Sequence, residues 1–393
     1  MMTPTMAKIL YIWQGGYPWE IRVEKFCLAL KEAGYDVTLM ARGKPGQPAE
    51  EAGEGLRIIR VGQGLPGAAS LPVPWNPVWS AAIRRVVAGW APDVVIAREI
   101  LLARPAAAAC RQRGIRIPLI IDMAEHYPAT MRAMEKYQRG MMKYLVFQAR
   151  LPDRVEHHAV AGAAGVITVC QEQNARLHAS FGYPLERMAV VHNTPDRAAF
   201  AAVRKGPETP PRVFAYHGHM TAQRGLDRLI RGFAPVARRH PRIRLDLAGD
   251  GPARPALVRL AEQCGVAEQV RFTGRYRFEE LTDLYSRTDV GLVAYPVDES
   301  IDHTIGNKIF DYFACGKPVI VSPAAPLRRV VEETGAGFLL RDDTPEAIAE
   351  GLDQALSLDV APLAEKGLAA ACARYNWDSD KAVLLDFLAR YLP

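Results

Sequence analysis

The sequence predicts an α/β protein with two parallel-sheet domains, and three observations lead there. Short apolar runs rich in Val, Ile and Leu alternate with amphipathic stretches from one end of the chain to the other, as in strands of parallel sheets covered by helices on both faces. The chain has 393 residues, too many for one ordinary core. The alternation also comes in two series, parted by "RKGPETPPRV" at 204–213, which is rich in Pro and charge and follows neither periodicity. Two such series make two doubly wound, Rossmann-like domains facing across a cleft. The expected bounds are 1–203 for the first domain, 204–212 for a linker, and a second domain from 213.

In the first half the strand candidates are "KILYIW", "VTLMA", "LRIIRV", "DVVIAR", "PLIID", "GVITVC" and "MAVVHN". In the second they are "RVFAYHG", "IRLDLAG", "VRFTG", "VGLVAY", "PVIVS" and "GFLL". Helical periodicity is clear at 20–33, 225–239, 253–263 and 344–356. Residues 303–322, "HTIGNKIFDYFACGKPVIVS", read as a loop, a short helix, a stop and a buried strand. Ile309, Phe310, Phe313 and Ala314 make one core-facing stripe, and Gly316 and Pro318 end the helix. Asp311, one turn after Asn307 and Lys308, is either half of an ordinary surface pair worth a few tenths of a kcal/mol or a grip on a ligand hydroxyl. The last segment, "YNWDSDKAVLLDFLARYL", reads as a helix capped by Asp378 or Ser379.

Composition narrows the function. No apolar run approaches the roughly 20 residues that span a bilayer, and the N-terminus reads as lacking a signal peptide. The six cysteines are scattered with no CxxC pair, which fits a reducing cytosol and argues against a structural zinc. The net charge of +6 is uneven: residues 1–200 hold 24 Lys+Arg against 17 Asp+Glu, or +7, and the remainder 25 against 26, or −1. An anionic ligand, an anionic membrane surface or plain solubility each accounts for that excess. The stretch 131–150, "MRAMEKYQRGMMKYLVFQAR", mixes apolar and basic residues and suits either a membrane face or a solvated helix. No nucleic-acid-binding signature is present.

Ligands of open α/β sheets bind at the carboxyl ends of strands, so residues just after strands are the candidates. Gly15 and Gly16 follow the first strand and allow a tight turn and close backbone approach. Asp122, Glu125 and His126 follow the fifth and can orient a hydroxyl, act as a base or cap a loop. His219 and Arg224 flank a loop that opens a helix, where a guanidinium suits phosphate. Gly274 closes "VRFTG", where backbone groups can read a base edge.

Together, "EIRVEKFCLALKEAGYDVTLMAR", "IIDMAEHYPATM", "GVITVCQEQNARL", "VVHNTPD", "GHMTAQRGLDRLI", "LAGDGP", "VRFTGRY", "NKIFDYFACGKPVIVS" and "YNWD" resemble, in order and spacing, the retaining GT-B-fold glycosyltransferases of family 4 (group 1). The likeness is to the subgroup that builds polysaccharide and lipopolysaccharide. It implies an N-terminal acceptor-side domain, a donor domain over 213–373 that binds a nucleotide-sugar, and a segment 374–393 that crosses back to the first domain. It places the donor diphosphate at the helix start near Gly306, Asn307 and Lys308, with His219 and Arg224 as cations. Asp311 then holds ribose, His303 and Ile305 lie in the loop facing the transferred sugar, and Gly15, Gly16, Gly274 and Arg275 complete the donor side. Asp122, Glu125 and His126 fall on the acceptor side. The chain departs from the pattern of two glutamates seven residues apart, which here are His303 and Asp311, and from the Arg–Lys pair, which here is His219 and Arg224. A weaker diphosphate grip or an unusual donor follows from these departures.

The expectation is a cytoplasmic enzyme, docked on the inner face of the plasma membrane if the 131–150 reading holds. It moves a sugar from a nucleoside diphosphate, UDP by preference, to a hydroxyl of a glycan or lipid-linked acceptor, with retention, no cofactor and no metal. The "DSD" at 378–380 imitates a metal motif of another glycosyltransferase class but sits at a helix start, as capping residues do. The alternatives are a GT-B-fold UDP-sugar epimerase and a non-catalytic nucleotide-sugar-binding subunit.

Overall fold

The computed structural model describes residues 6–18, 20–53, 55–111, 116–203, 206–277 and 280–393. The chain divides into two compact units, Met1–Val191 with Lys381–Pro393, and His192–Asp380. Among the described residues, each unit is built on one sheet.

The strands of the first sheet are β1 (Lys8–Ile12), β2 (Asp36–Arg42), β3 (Glu50–Gly53), β4 (Leu56–Val61), β5 (Val94–Arg98), β6 (Leu119–Met123), β7 (Gly165–Thr168) and β8 (Met188–Val190). They lie in the order β3-β4-β2-β1-β5-β6-β7-β8. Neighbours are parallel, except β3, which runs antiparallel to β4. Ile9 to Ile12 and Val94 to Ala97 are fully buried, because helices such as Ile21–Glu32 and Pro77–Trp90 cover the central strands. The strand order reverses between β1 and β5, which makes their carboxyl ends the switch point of this sheet.

The second sheet holds β9 (Val213–His217), β10 (Arg244–Ala248), β11 (Val270–Gly274), β12 (Val290–Val293), β13 (Val319–Val321) and β14 (Gly337–Leu339). Its order is β11-β10-β9-β12-β13-β14, parallel throughout, with the reversal between β9 and β12. Helix Leu226–Arg239 follows β9, and helix Lys308–Ala314 precedes β13.

Each strand read from the sequence is present, within a residue or a few at its ends. β3 was not expected. Its residues, "EEAG", lack β propensity and are mostly exposed. Pairing with β4 makes it a strand, helped by Arg57–Glu50 at 3.1 Å and Arg60–Glu51 at 2.6 Å.

The break between units falls after Val191, ahead of the expected 204–212 linker. Residues 192–203 belong to the second core: the His192 ring lies 5.5 Å from both Phe310 and Tyr375, and Phe200 lies 5.3 Å from Tyr285. Of the linker itself, Arg204 and Lys205 lie outside the described residues. The rest is tied down, because the buried Lys317 ammonium donates to the Gly206 carbonyl at 2.6 Å. The buried Asp289 carboxylate accepts from the backbone of Glu208, Arg212 and Val213 at 2.8–2.9 Å.

The last helix, Trp377–Ala389, is capped by Asn376 rather than by Asp378 or Ser379, since its side-chain oxygen accepts from Ser379 N at 3.0 Å. Asp380 is buried and accepts from Thr194 Oγ1, with His192 Nδ1 at 3.2 Å.

Candidate active site

In the second unit, chemistry gathers at the β9/β12 switch point. The chain leaves β9 through Gly218, at φ +137°, beside Gly249 at φ +131° and Gly251 at φ +159°. A Cβ on Gly249 would stand 2.0 Å from the Gly218 carbonyl oxygen, and one on Gly251 2.3 Å from that of Met220. The two loops are therefore stacked backbone on backbone, joined by Gly218 N to Ala248 O at 2.8 Å and Met220 N to Asp250 O at 2.9 Å. This packing explains the glycines of "LAGDGP" and leaves the loop through His219 and Arg224 on a rigid floor.

Two cations stand there, each against an aromatic ring. The Arg224 guanidinium lies 4.9 Å from the Tyr295 ring, just past β12, and the Lys308 ammonium 5.5 Å from that of Tyr216. The Tyr216 hydroxyl donates to the His219 carbonyl at 3.0 Å, which fixes the loop. The His219 side chain itself is exposed. The imidazole the sequence reading missed is His217, buried at the end of β9. Burial, then the charges of Lys308 and Arg287, push its pKa down to about 3, so it is neutral near pH 7, and its Nδ1 is buried without a hydrogen-bond partner.

Helix Lys308–Ala314 is buried from Ile309 to Ala314, Asp311 included at 7% exposure. The surface-pair reading of Asp311 is thereby corrected. Its carboxylate does have an i,i+4 partner, Asn307 Nδ2 at 2.6 Å, but beside it stands the Tyr285 hydroxyl at 3.3 Å, inside the core. Ile305 is buried, Gly306 and Asn307 are exposed, and a Cβ on Gly306 would meet nothing within 4 Å. His303 turns back on its own 3₁₀ turn, Nδ1 2.8 Å from the Glu299 carbonyl. Gly274 takes the φ of +75° that ends β11. Arg275 is 88% exposed and pairs with Asp250 at 3.2 Å.

In the first unit, Gly15 and Gly16 follow β1. The close approach at Gly15 is to the chain's own tryptophan: a Cβ there would lie 2.6 Å from the Trp13 ring, whose Nε1 donates to the Gly16 carbonyl at 3.1 Å.

Asp122, Glu125 and His126 differ in their surroundings. Asp122 lies one residue before the end of β6 and has no exposed surface. It accepts from Arg22 Nη2 at 2.7 Å and Nε at 3.0 Å on one oxygen, and from the Tyr11 hydroxyl at 2.7 Å on the other. Burial alone would raise its pKa, but Arg22 and Arg98 bring it below the usual carboxylate value. Asp122 is thus the hub of a buried ion network rather than a group turned to an acceptor. Glu125 is exposed and His126 buried.

Next to this network lies Glu99, which sequence reading missed. It follows β5 with a left-handed backbone at φ +63° and is buried. Its Oε1 lies 3.0 Å from Arg98 Nη1 and accepts from Ala124 N at 3.1 Å. Burial pushes its pKa up to about 8, against the lowering effect of Arg98.

Among the described residues, no three or more His, Cys, Asp or Glu gather as a metal site requires, and no helix is long and apolar enough to cross a membrane. Met141, Tyr144 and Phe147 are exposed on a short helical stretch, Gly140–Lys143 continued by Tyr144–Gln148.

Residues 20–194 match the glycosyl transferase 4-like domain and residues 211–357 the glycosyl transferases group 1 family. The chain belongs to the group 1 glycosyltransferases, enzymes that move a sugar from a donor to an acceptor. The glycogen synthase of Mycobacterium tuberculosis is 26% identical over 380 residues, spanning 91% of this chain and 86% of that protein. Two solved structures share the GT-B fold. Sucrose-phosphate synthase from Thermosynechococcus elongatus has a TM-score of 0.77 at 19% identity, covering 98% of each chain. Anabaena HepE, solved in complex with UDP-glucose, has a TM-score of 0.70 at 16% identity, covering 98% of this chain and 99% of its own.

Proposed function

We propose that this glycosyltransferase moves a sugar from a UDP-linked donor to a hydroxyl of a glycan or lipid-linked acceptor, with retention and without a metal ion or other cofactor. The carrying observation is the pair of ring-backed cations, Arg224 over Tyr295 and Lys308 over Tyr216, beside the buried Asp311 at one switch point. As the bond from the anomeric carbon to the β-phosphate oxygen breaks, negative charge grows on the diphosphate. Cations already held in place oppose that charge more strongly in the transition state than in the ground state. The acceptor hydroxyl forms the new C–O bond, and its proton leaves with the diphosphate. Asp311 holds the ribose hydroxyls. HepE, which shares the fold, binds UDP-glucose, and this supports UDP as the nucleotide. The apolar, basic stretch around Met141 to Phe147 supports docking on the anionic inner face of the plasma membrane, where a lipid-linked acceptor resides.

Calorimetry with UDP, 2′,3′-dideoxy-UDP, UMP and uridine tests the donor assignment. A hydrogen bond to a carboxylate is worth about 1.5–3 kcal/mol. Asp311→Ala is expected to weaken UDP accordingly and leave the dideoxy analogue nearly unchanged. Arg224→Ala is expected to weaken both diphosphates and spare uridine. Equal losses for UDP and dideoxy-UDP in Asp311→Ala overturn the ribose assignment.

A further inference from the structure

The first unit carries a second unexplained polar group at its own switch point, in residues given no role so far. β1 and β5 are neighbours, with Gln14 two residues past the first and Glu99 one past the second. Glu99 is 6% exposed. One oxygen is engaged by Arg98 and Ala124, while the other, Oε2, is buried with no hydrogen-bond partner. Gln14 Oε1 is in the same condition, and so is Arg98 Nε. The Gln14 amide hydrogen-bonds the Tyr127 hydroxyl, which in turn lies in the electrostatic field of Glu99 and Glu125. Three strand ends therefore converge on one small polar region. A buried polar atom left unpaired costs about 1–3 kcal/mol, and native proteins rarely tolerate several together.

The backbone adds an independent sign. Glu99 holds φ +63°, a conformation that disfavours glutamate and suits glycine or asparagine. Its own N–H is pinned to the Asp122 carbonyl at 2.9 Å, so a main-chain bond to β6 holds the conformation. Strain of this kind persists where a side chain must be aimed. Glu99 stands at the β1/β5 strand ends, the place where open α/β sheets take ligands.

We propose that Glu99 and Gln14 form a hydroxyl-reading subsite for the saccharide that receives the transferred sugar, each engaging one of two neighbouring hydroxyls. A carboxyl oxygen and an amide oxygen can each accept from a hydroxyl, and a vicinal diol offers two such donors. The assignment rests on the reading of the first unit as the acceptor side.

Saturation-transfer NMR of the full chain with the methyl glycosides of glucose, galactose, mannose and N-acetylglucosamine, each with its monodeoxy analogues, tests it. At least one glycoside is expected to bind, and removing one of two vicinal hydroxyls is expected to weaken it. Glu99→Gly, which suits the left-handed backbone, is expected to weaken binding about tenfold or more, while Glu99→Gln, which keeps a hydrogen-bonding atom in place, retains most of it. Gln14→Leu leaves the strained backbone alone and is expected to weaken binding severalfold. Unchanged binding in both Glu99→Gly and Gln14→Leu, or no glycoside bound by the wild-type chain, overturns the subsite. Release of UDP from UDP-sugars is followed in parallel. Glycoside binding without UDP release from any donor sinks the UDP-donor reading and leaves the subsite standing. Transfer with an unchanged acceptor KM in Glu99→Gly does the reverse.

Discussion

The Arg22 guanidinium meets the Asp122 carboxylate at 2.7 Å, although the residues stand a hundred positions apart in the chain. Neither is exposed beyond a few per cent, and Arg22 also donates to the Val191 carbonyl at 2.9 Å. This pair joins the first helix to the end of β6 and to the close of the first unit's main segment.

Removing one partner of a buried ion pair leaves the other charge uncompensated, at a cost of about 3–5 kcal/mol. Asp122→Ala is expected to lower stability by that order, visible by scanning calorimetry. The folded pKa of Asp122 is depressed, so its contribution is complete above the ordinary value of about 3.9 and is lost only as pH falls through the lower folded value. The calorimetric gap between wild type and variant should therefore hold from neutral pH down to about 4 and close below it.

Glu99 titrates in the opposite sense. Its folded pKa of about 8 stands above the ordinary value of roughly 4.3, so between these limits the folded state binds the proton more tightly than the unfolded chain does. The group's contribution to stability therefore falls as pH rises through that window. Glu99→Gln does not titrate, and its melting temperature relative to wild type should climb from pH 5 to pH 8. A constant difference contradicts the assignment.

The stacked loops after β9 and β10 leave no room for a methyl group. Gly251→Ala places a carbon 2.3 Å from the Met220 carbonyl oxygen, at a φ few side chains adopt. The expected result is a loss of about 1–3 kcal/mol together with weaker UDP binding, because the loop bearing Arg224 must shift. Gly306→Ala, where a Cβ meets nothing within 4 Å, is expected to leave the melting temperature within a degree or two, since open surface positions cost little.

Membrane docking is checked by co-sedimentation with vesicles of anionic phospholipid. Met141, Tyr144 and Phe147 are exposed near Arg139, Lys143 and Arg150. Binding at low salt should weaken as salt rises, since each basic residue near the surface contributes about 1 kcal/mol that ions screen. Met141→Asp with Phe147→Asp should abolish it. Indifference to anionic lipid excludes this surface as the anchor.

Much of the fold was legible because buried parallel strands must be continuously apolar, and "KILYIW" or "DVVIAR" admits few other readings. The positions of Arg224, Lys308 and Asp311, the residues proposed for the donor, were legible for a related reason: they lie close in sequence to the strand and helix ends that position them. What escaped reading depends on distant partners. The Arg22–Asp122 pair spans two elements, so Asp122 looked available when it was enclosed. Asp289 and Lys317 look like surface charges in sequence, yet they hold the segment before β9 and move the unit boundary away from the Pro-rich stretch. Glu99 sits in "AREILL", where nothing local signals a left-handed residue. The φ value and the unpartnered oxygen that single it out exist only after folding.

The short antiparallel strand β3 bears on how copies of the chain behave toward one another. Beneath it runs β4, with Leu56, Ile58, Ile59 and Val61 buried, an apolar ribbon of high strand propensity. Uncovered, that ribbon would present a ladder of free amides and carbonyls for a second molecule to zip onto. Glu50 and Glu51 occupy that ladder and give the sheet's outer margin negative charge, partly matched by Arg57 and Arg60. The four residues least like a strand in sequence thus act as a selvedge, a charged margin against which a second chain pairs poorly.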